Sequence, residues 1–175
     1  MGADPRAGMP AAPPMNDPAP GMPGTSGMPG MPSVDANSRQ QLQVAQSAVA
    51  ASPGDYEALV HLGNAAYDAR EFAQAADAYE KALKLHADDV NVLTDLGTAY
   101  RNEGQVDKAL ELFRKANSID PKHWQSLYNV VIVLAMDKHD HEGAAAALAR
   151  LKAENPGLPV LPDLEKQVAA VHAQK

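Results

Sequence analysis

The sequence predicts an all-α fold, a stack of antiparallel helix pairs behind an N-terminal arm without regular structure. Three observations predict it: apolar residues recur at helical spacing, matching residues return every 34 positions, and Pro, Gly and Met concentrate near the N-terminus. Nine of the 14 prolines and six of the seven methionines lie before residue 33. We therefore place a domain boundary near Val34, between a tether (residues 1–34) and a helical domain (35–175).

The arm repeats Met-Pro dipeptides, and two of them continue as Met-Pro-Gly. Proline disfavours regular helix and central strand, and glycine adds entropy to the unfolded chain. We interpret residues 1–34 as a disordered, low-complexity tether. Two further roles stay open, namely partner docking or self-assembly through the arm, and binding of a soft metal such as Cu(I) by the methionine thioethers.

The first helix is expected over residues 36–51, which match the second half of a repeat, and Pro53 ends it. Repeats at 56–89, 90–123 and 124–157 follow. The residue pairs related by 34 positions are Leu59 and Leu93, Leu62 and Leu96, Gly63 and Gly97, Ala75 and Ala109, Tyr79 and Phe113, and Ala82 and Ala116. The third copy fits if one residue is inserted in the turn near Asp140.

Each repeat is predicted to form two helices of about 14 residues joined by a short turn. The turns are expected at Arg70-Glu71 and at Gly104, and Asp55, Asp89 and Asp120-Pro121 supply helix-start chemistry. Pro162 opens a last helix over 162–173. Its apolar stripe of Leu164, Val168 and Val171 is typical of a terminal cap that covers the end of a helical stack.

This pattern of Leu-Gly, a small residue, an aromatic residue four positions later and a late Pro resembles the tetratricopeptide repeat. The resemblance implies a right-handed superhelix of about three repeats with flanking helices. Two residues depart from the pattern: Val131 replaces the early Gly of repeat three, and Ala87 replaces the late Pro of repeat one. The larger side chain of Val131 predicts a different packing angle in repeat three.

The resemblance also implies a concave groove lined by the first helix of each repeat. Its candidate peptide-binding residues are Asn64, Tyr67, Asn91, Thr94, Thr98, Arg101, Asn102, Gln125, Tyr128 and Ile132. The same face includes Glu57, Val60, Asp68, Ala135 and Met136. One end is polar and the other apolar, which suits an extended or helical peptide with one hydrophobic anchor. Alternatively, and in our preferred interpretation, the last helix covers the apolar strip of Tyr128, Ile132 and Met136.

The best-known binding mode of the family is a clamp of Lys, Asn and Arg around a partner's C-terminal carboxylate. The matching positions here are Val60, Asn64, Asp95, Gln125 and Asn129. Only Asn64 fits, so we expect no carboxylate clamp.

Charge and composition exclude several function classes. The net charge of −7 argues against binding nucleic acid or an anionic membrane surface. No cysteine, phosphate-binding loop or nucleophile motif is present, so we expect no enzyme. Asp137, His139 and His141 share a turn, but without a fourth ligand we predict no metal site or other cofactor.

The sequence therefore predicts a non-catalytic adaptor that binds a partner protein through its groove. The alternative is a self-associating structural protein, and a more distant one is metal handling through the Met-rich arm. The sequence does not identify the compartment, and for the chain as given we expect the cytoplasm. No apolar run is long enough to span a membrane. A periplasmic or membrane-tethered protein stays open, since bacterial proteins of this build are often anchored by an N-terminal helix.

Overall fold

The computed structural model describes residues 36–172, with side chains up to Val171. The predicted tether and the end of the predicted last helix lie outside the described residues. The helices are α1 (Ala36–Ala51), α2 (Tyr56–Asp68), α3 (Phe72–Leu85), α4 (Val90–Asn102), α5 (Val106–Ile119), α6 (Trp124–Ile132), a π-helical turn (Val133–Asp137), α7 (His141–Glu154) and α8 (Leu161–His172). Each packs on the next along residues 36–172, which confirms the predicted all-α stack of helix pairs.

Small residues and large side chains alternate in the contacts between helices. A Cβ added at Gly63 of α2 would lie 2.3 Å from the Tyr79 ring, and one at Gly97 of α4 would lie 2.6 Å from the Phe113 ring. Glycine is therefore required at both positions, because the aromatic ring of the second helix occupies the space of its missing side chain. Repeat three instead buries Val131 and Leu148 in one cluster, so the aromatic ring and the glycine are replaced together. The different packing angle stays a prediction.

The extra residue of repeat three lies in the π-helical turn that follows α6, before the predicted place at Asp140. In repeats one and two, the backbone amides of Glu71 and Gln105 donate hydrogen bonds across the interhelix turn. Their acceptors are carbonyls five residues earlier. In repeat three, the Asp140 amide reaches the Leu134 carbonyl, six residues earlier, at 2.8 Å. A π-helical turn is the usual way for a helix to accommodate one inserted residue.

The turns share one backbone feature. Arg70 has φ 61°, Gly104 φ 79° and His139 φ 53°, all in the left-handed region. This conformation reverses the chain between the two helices of each pair. Only Gly104 adopts it without steric cost, since the other two carry a Cβ.

Aspartates cap the N-termini of three described helices, α2, α4 and α7. Asp55 accepts a hydrogen bond from the Ala58 amide, and Asp89 accepts from the Asn91 and Val92 amides, as predicted. The prediction for Asp120-Pro121 was wrong. The Asp120 carboxylate accepts from the Lys122 amide before the helix, and α6 begins later, after His123. Three residues, 121–123, lie between Asp120 and the first helical residue, and the last of them caps the helix.

The helical stack is closed at its C-terminal end by α8. Leu161, Leu164 and Val168 of α8 are buried in the same cluster as Phe113 and Leu151. The predicted capping role is consistent with this burial, and the helix begins at Leu161, one residue before the predicted start. Its proline is thus the second helical residue, where the missing amide hydrogen is still unneeded.

Candidate functional site

The predicted groove residues differ in how accessible their side chains are. Asn64, Asn91 and Asn102 are exposed, whereas Tyr67, Thr98, Arg101, Gln125 and Tyr128 are half-buried. Two predicted residues lie inside the fold, and their role as peptide contacts stays a prediction. Thr94 is 5% exposed and donates to the Val90 carbonyl at 2.7 Å, and Ile132 is 8% exposed within the core.

The apolar end of the predicted groove is largely covered. Ile132 belongs to the buried cluster that includes Leu164 and Val168 of α8, and Tyr128 and Met136 pack against that cluster. The strip is thus largely buried, and its coverage by the last helix stays a prediction. The accessible part of the groove is the polar part on α2, α4 and the beginning of α6.

Polar side chains in this part are joined across neighbouring repeats. Asn102 Nδ2 donates to Tyr67 Oη at 3.1 Å, which links α4 to α2. Arg101 contacts Asp137 at 2.5 Å and 3.3 Å, through Nε and a terminal nitrogen, which links α4 to the turn after α6. A bidentate pair of this kind fixes both side chains in one geometry. The groove is thus pre-organised by contacts between the first helices.

His123 joins α6 to α4 at the other end of these helices. Its Nδ1 accepts from the Ser126 amide at 3.4 Å, so Nε2 carries the proton and donates to Asn91 Oδ1 at 3.1 Å. Burial lowers the pKa of His123, although Asp120 and Asp89 act in the opposite direction. The neutral imidazole is the form that can begin a helix, because an imidazolium has no free acceptor and would repel the helix N-terminus.

Asp95 is a functional candidate that the sequence reasoning treated only as a mismatch to the clamp. It lies on α4, half-buried, and burial raises its pKa to about 6, with a further contribution from Asp89. Among the described residues it has no hydrogen bond or salt bridge. A carboxylate that is costly to ionise and uncompensated within the fold is typical of a binding site.

The charge of Asp95 contributes to the raised pKa values of two tyrosines, Tyr56 and Tyr79. Burial raises the pKa of Tyr79, and the charges of Asp95 and Asp68 add to the effect. Tyr79 Oη donates to Asn64 Oδ1 at 2.7 Å, and Tyr56 Oη donates to Asp89 Oδ2 at 2.6 Å. Burial acts to raise the pKa of Asp89, but these hydrogen bonds from Tyr56 and backbone amides outweigh it and lower it.

No set of three His, Cys, Asp or Glu side chains within residues 36–172 is arranged to hold a metal ion. At the turn considered above, the Asp137 carboxylate binds Arg101 instead. No described helix is long and apolar enough to cross a membrane.

Comparisons with known proteins agree with this architecture. The model of the tetratricopeptide repeat family matches residues 42–90, 60–123 and 94–159. The co-chaperone sgt12 of Aspergillus fumigatus is 30% identical over 124 residues, which is 70% of this chain and 36% of that protein. The photosystem I assembly protein Ycf3 of Acaryochloris marina is 30% identical over 86 residues, or 47% of this chain and 52% of that protein. Superkiller protein 3 of Schizosaccharomyces pombe is 30% identical over 92 residues, or 53% and 7%. The chain thus spans at most about half the length of these curated relatives.

Solved structures show the same fold at lower identity. The Arabidopsis OM64 tetratricopeptide domain superposes with a TM-score of 0.61 at 21% identity, covering 66% of this chain and 94% of that domain. A crystal structure of MamA superposes with a TM-score of 0.64 at 16% identity, covering 74% and 81%. Repeat period, helix pairing and family model agree, and the chain belongs to the tetratricopeptide repeat family.

Proposed function

We propose that the chain is a non-catalytic adaptor that binds a peptide or partner segment in the groove formed by α2, α4 and α6. Proteins of this family generally mediate protein–protein interactions, and their fold is generally a non-catalytic scaffold. Two relatives are named as a co-chaperone and as an assembly protein, which is in keeping with such a role.

The observation that carries the proposal is the row of polar side chains on the first helices. Asn102, Asn91 and Arg101 are held by contacts to the neighbouring repeat, so binding a peptide costs little additional side-chain ordering. The helix backbones are internally hydrogen-bonded, and recognition must therefore come from side chains. Asn64, Thr98 and Gln125 supply further donors and acceptors on the same face.

A partner's C-terminal carboxylate is not the proposed ligand. The half-buried carboxyl of Asp95 stands where the clamp of the family has a neutral or basic side chain, and like charges repel strongly in a partly buried site. We propose instead that the partner presents hydrogen-bond donors or a cationic group near Asp95.

The test compares two substitutions with the same local chemistry. Thr98→Arg places a long side chain in the middle of the groove, and Thr98 Oγ1 loses only its bond to the Thr94 carbonyl. Ser118→Arg is the matched control, because the Ser118 hydroxyl also bonds a carbonyl of its own helix and lies on α5, outside the groove. Partners captured from cells by the unmodified full chain are identified, purified and titrated against all three proteins by calorimetry.

We expect Thr98→Arg to weaken the affinity for the purified partner by about tenfold or more, and Ser118→Arg to leave this affinity unchanged. Circular dichroism should give the same helical signal for all three proteins. Equal affinities for the three proteins would show that no partner occupies the groove.

A second candidate function is self-association, and two exposed apolar residues favour it. Leu85 and Ile119 occupy the same repeat position at the ends of α3 and α5, and they are 48% and 40% exposed. Light scattering over a range of concentrations distinguishes this candidate, since a constant monomer mass would exclude it.

A further inference from the structure

An apolar cleft lies between α1 and α2, at the N-terminal end of the described helices. It has a volume of about 580 Å³, and its lining includes Gln41, Val44, Ala45 and Ala48 of α1. Val44 is 65% exposed, more than Leu85 or Ile119, the other large apolar residues on the described surface. We call this surface the N-terminal cleft.

The repeat register shows what normally covers this face of a second helix. A shift of 34 residues places the α1 face on Ala75, Ala78, Tyr79 and Ala82 of α3, all of which are buried. In α3, the Tyr79 ring packs on Gly63 of α2, the first helix of the same repeat. No equivalent first helix lies beside α1 among the described residues. Gln41, Val44 and Ala48 of this face are exposed, and Ala45 is buried at the base of the cleft.

The α2 side of the cleft can be compared with the next repeat in the same way. Its lining residues Ala58, His61, Ala65 and Asp68 correspond to Val92, Asp95, Ala99 and Asn102 of α4. In α4, Val92 and Ala99 are buried in a cluster with Leu59 of α2, and Asn102 bonds Tyr67 of α2. Both walls of the cleft are therefore surfaces that a first helix occupies elsewhere in this molecule.

The chain's own residues in that register are unsuited to a helix. They are residues 22–34, which contain Pro23, Pro29 and Pro32 as well as three glycines. A proline in a helix interior removes a backbone hydrogen bond and clashes with the preceding turn. Residues 22–34 are therefore poor helix formers, and we look to a partner protein for a helix in this place.

We propose that the N-terminal cleft binds an amphipathic helix of a partner protein, which completes the missing half of the first repeat. Each first helix in the stack presents apolar residues at positions 4, 7, 8 and 11 of its repeat, as Leu59, Leu62, Gly63 and Ala66 do in α2. The incoming helix would follow the same pattern, because it would occupy an equivalent place.

Two details of the cleft specify the helix further. Ala45 stands where α3 and α5 have Tyr79 and Phe113, so the space that an aromatic ring fills there is available to the partner. A bulky residue at position 8 fits, in place of glycine. The residue at position 12 is Tyr67 in α2 and Arg101 in α4, and each bonds a residue near the end of the next first helix. For a helix bound in the cleft, the next first helix is α2, whose last turn carries the Asp68 carboxylate. A basic residue at position 12 is therefore complementary.

The probe is a labelled peptide with the sequence of residues 90–102 carrying Gly97→Leu, which has apolar residues at the four positions and Arg at position 12. Binding to the full chain is measured by fluorescence anisotropy. The unsubstituted peptide is the matched control ligand. The chain variants are Val44→Glu, inside the cleft, and Leu85→Glu, which removes another exposed apolar side chain.

We expect saturable binding of the Gly97→Leu peptide, weakened about tenfold or more by Val44→Glu and unchanged by Leu85→Glu. The unsubstituted peptide should bind more weakly, because glycine leaves the space beside Ala45 unfilled. Thr98→Arg should leave peptide binding intact, so failure of this proposal and failure of the groove proposal are distinguishable. Val44 is already exposed, and Val44→Glu is expected to fold with an unchanged melting temperature.

Three results would overturn the proposal. The first is no saturable binding, or equal loss with Val44→Glu and Leu85→Glu. The second is a dimer that Val44→Glu dissociates, which would make a second copy the occupant. The third is binding that develops only after substitution of Met22, Met28 and Met31 by serine, which would make the arm itself the occupant.

Discussion

Replacing Asp95 by asparagine tests whether the groove retains a charge at the expense of stability. Burial raises the pKa of Asp95 from 3.8 to about 6, a shift of about two units. Each unit corresponds to about 1.4 kcal/mol between folded and unfolded states, so ionisation of this carboxyl costs up to about 3 kcal/mol. Asparagine has the same shape and no charge, and it removes that cost.

The sign of the pH dependence follows from the raised pKa. Between pH 3.8 and about 6 the folded chain holds the Asp95 proton and the unfolded chain does not. Below pH 3.8 the fold therefore bears no cost of ionising Asp95. The free energy of unfolding falls as the pH rises from there through about 6. We expect Asp95→Asn to change the free energy of unfolding little near pH 4, and to raise it by up to about 3 kcal/mol near pH 7.5.

Urea denaturation followed by far-ultraviolet circular dichroism measures this difference. The two pH values lie on either side of the sequence pI of about 5.2, where solubility is lowest. Asp88→Asn is the control, since Asp88 is exposed and close in sequence, and its effect should stay within about 0.5 kcal/mol. A change that is equal at both pH values, or destabilisation near pH 7.5, would refute the argument from burial.

Two further predictions concern packing and turns. Gly97→Val should destabilise the fold by about 1–3 kcal/mol, and adding Phe113→Leu should recover at least about 1 kcal/mol, since the smaller side chain vacates the space of the new one. Additive losses in a double-mutant cycle from urea titrations would contradict this compensation. Arg70→Gly should stabilise the first turn by a few tenths to about 1 kcal/mol, because φ is 61° there. Gly104→Ala, at φ 79°, should have the opposite effect in thermal melts, and a loss of stability in both variants would be inconsistent with left-handed strain.

The fold could be predicted from the sequence because the repeats share the same spacing of small and large apolar residues. Gly63 and Gly97 recur with an aromatic residue 16 positions later, and the structure shows each ring in the space beside its glycine. The place of the inserted residue could not be predicted. An extra residue near Asp140 fits a longer loop or a π-helical turn equally well, and only the backbone hydrogen bond to Leu134 decides between them.

The candidate site was predicted less completely, because accessibility depends on the neighbouring helix. Thr94 and Ile132 have the repeat positions of groove residues, but their burial follows from the packing of adjacent elements. Asp95 shows the converse. The residue can be read from the sequence, but its burial and its raised pKa depend on the folded surroundings and on Asp89, which no spacing rule reports.

The two proposed surfaces are physically connected through α2. Asn64 belongs to the groove and also lines the N-terminal cleft, and Tyr79 Oη holds its side chain. First helices line the groove, so a partner helix bound in the cleft would lengthen the groove by one repeat. A peptide that reached this added segment would bind more tightly when the helix is present, and by linkage the helix would bind more tightly when the peptide is present. Open ends in a stack of repeats are thus sites at which a partner can change the length, and with it the specificity, of the recognition surface.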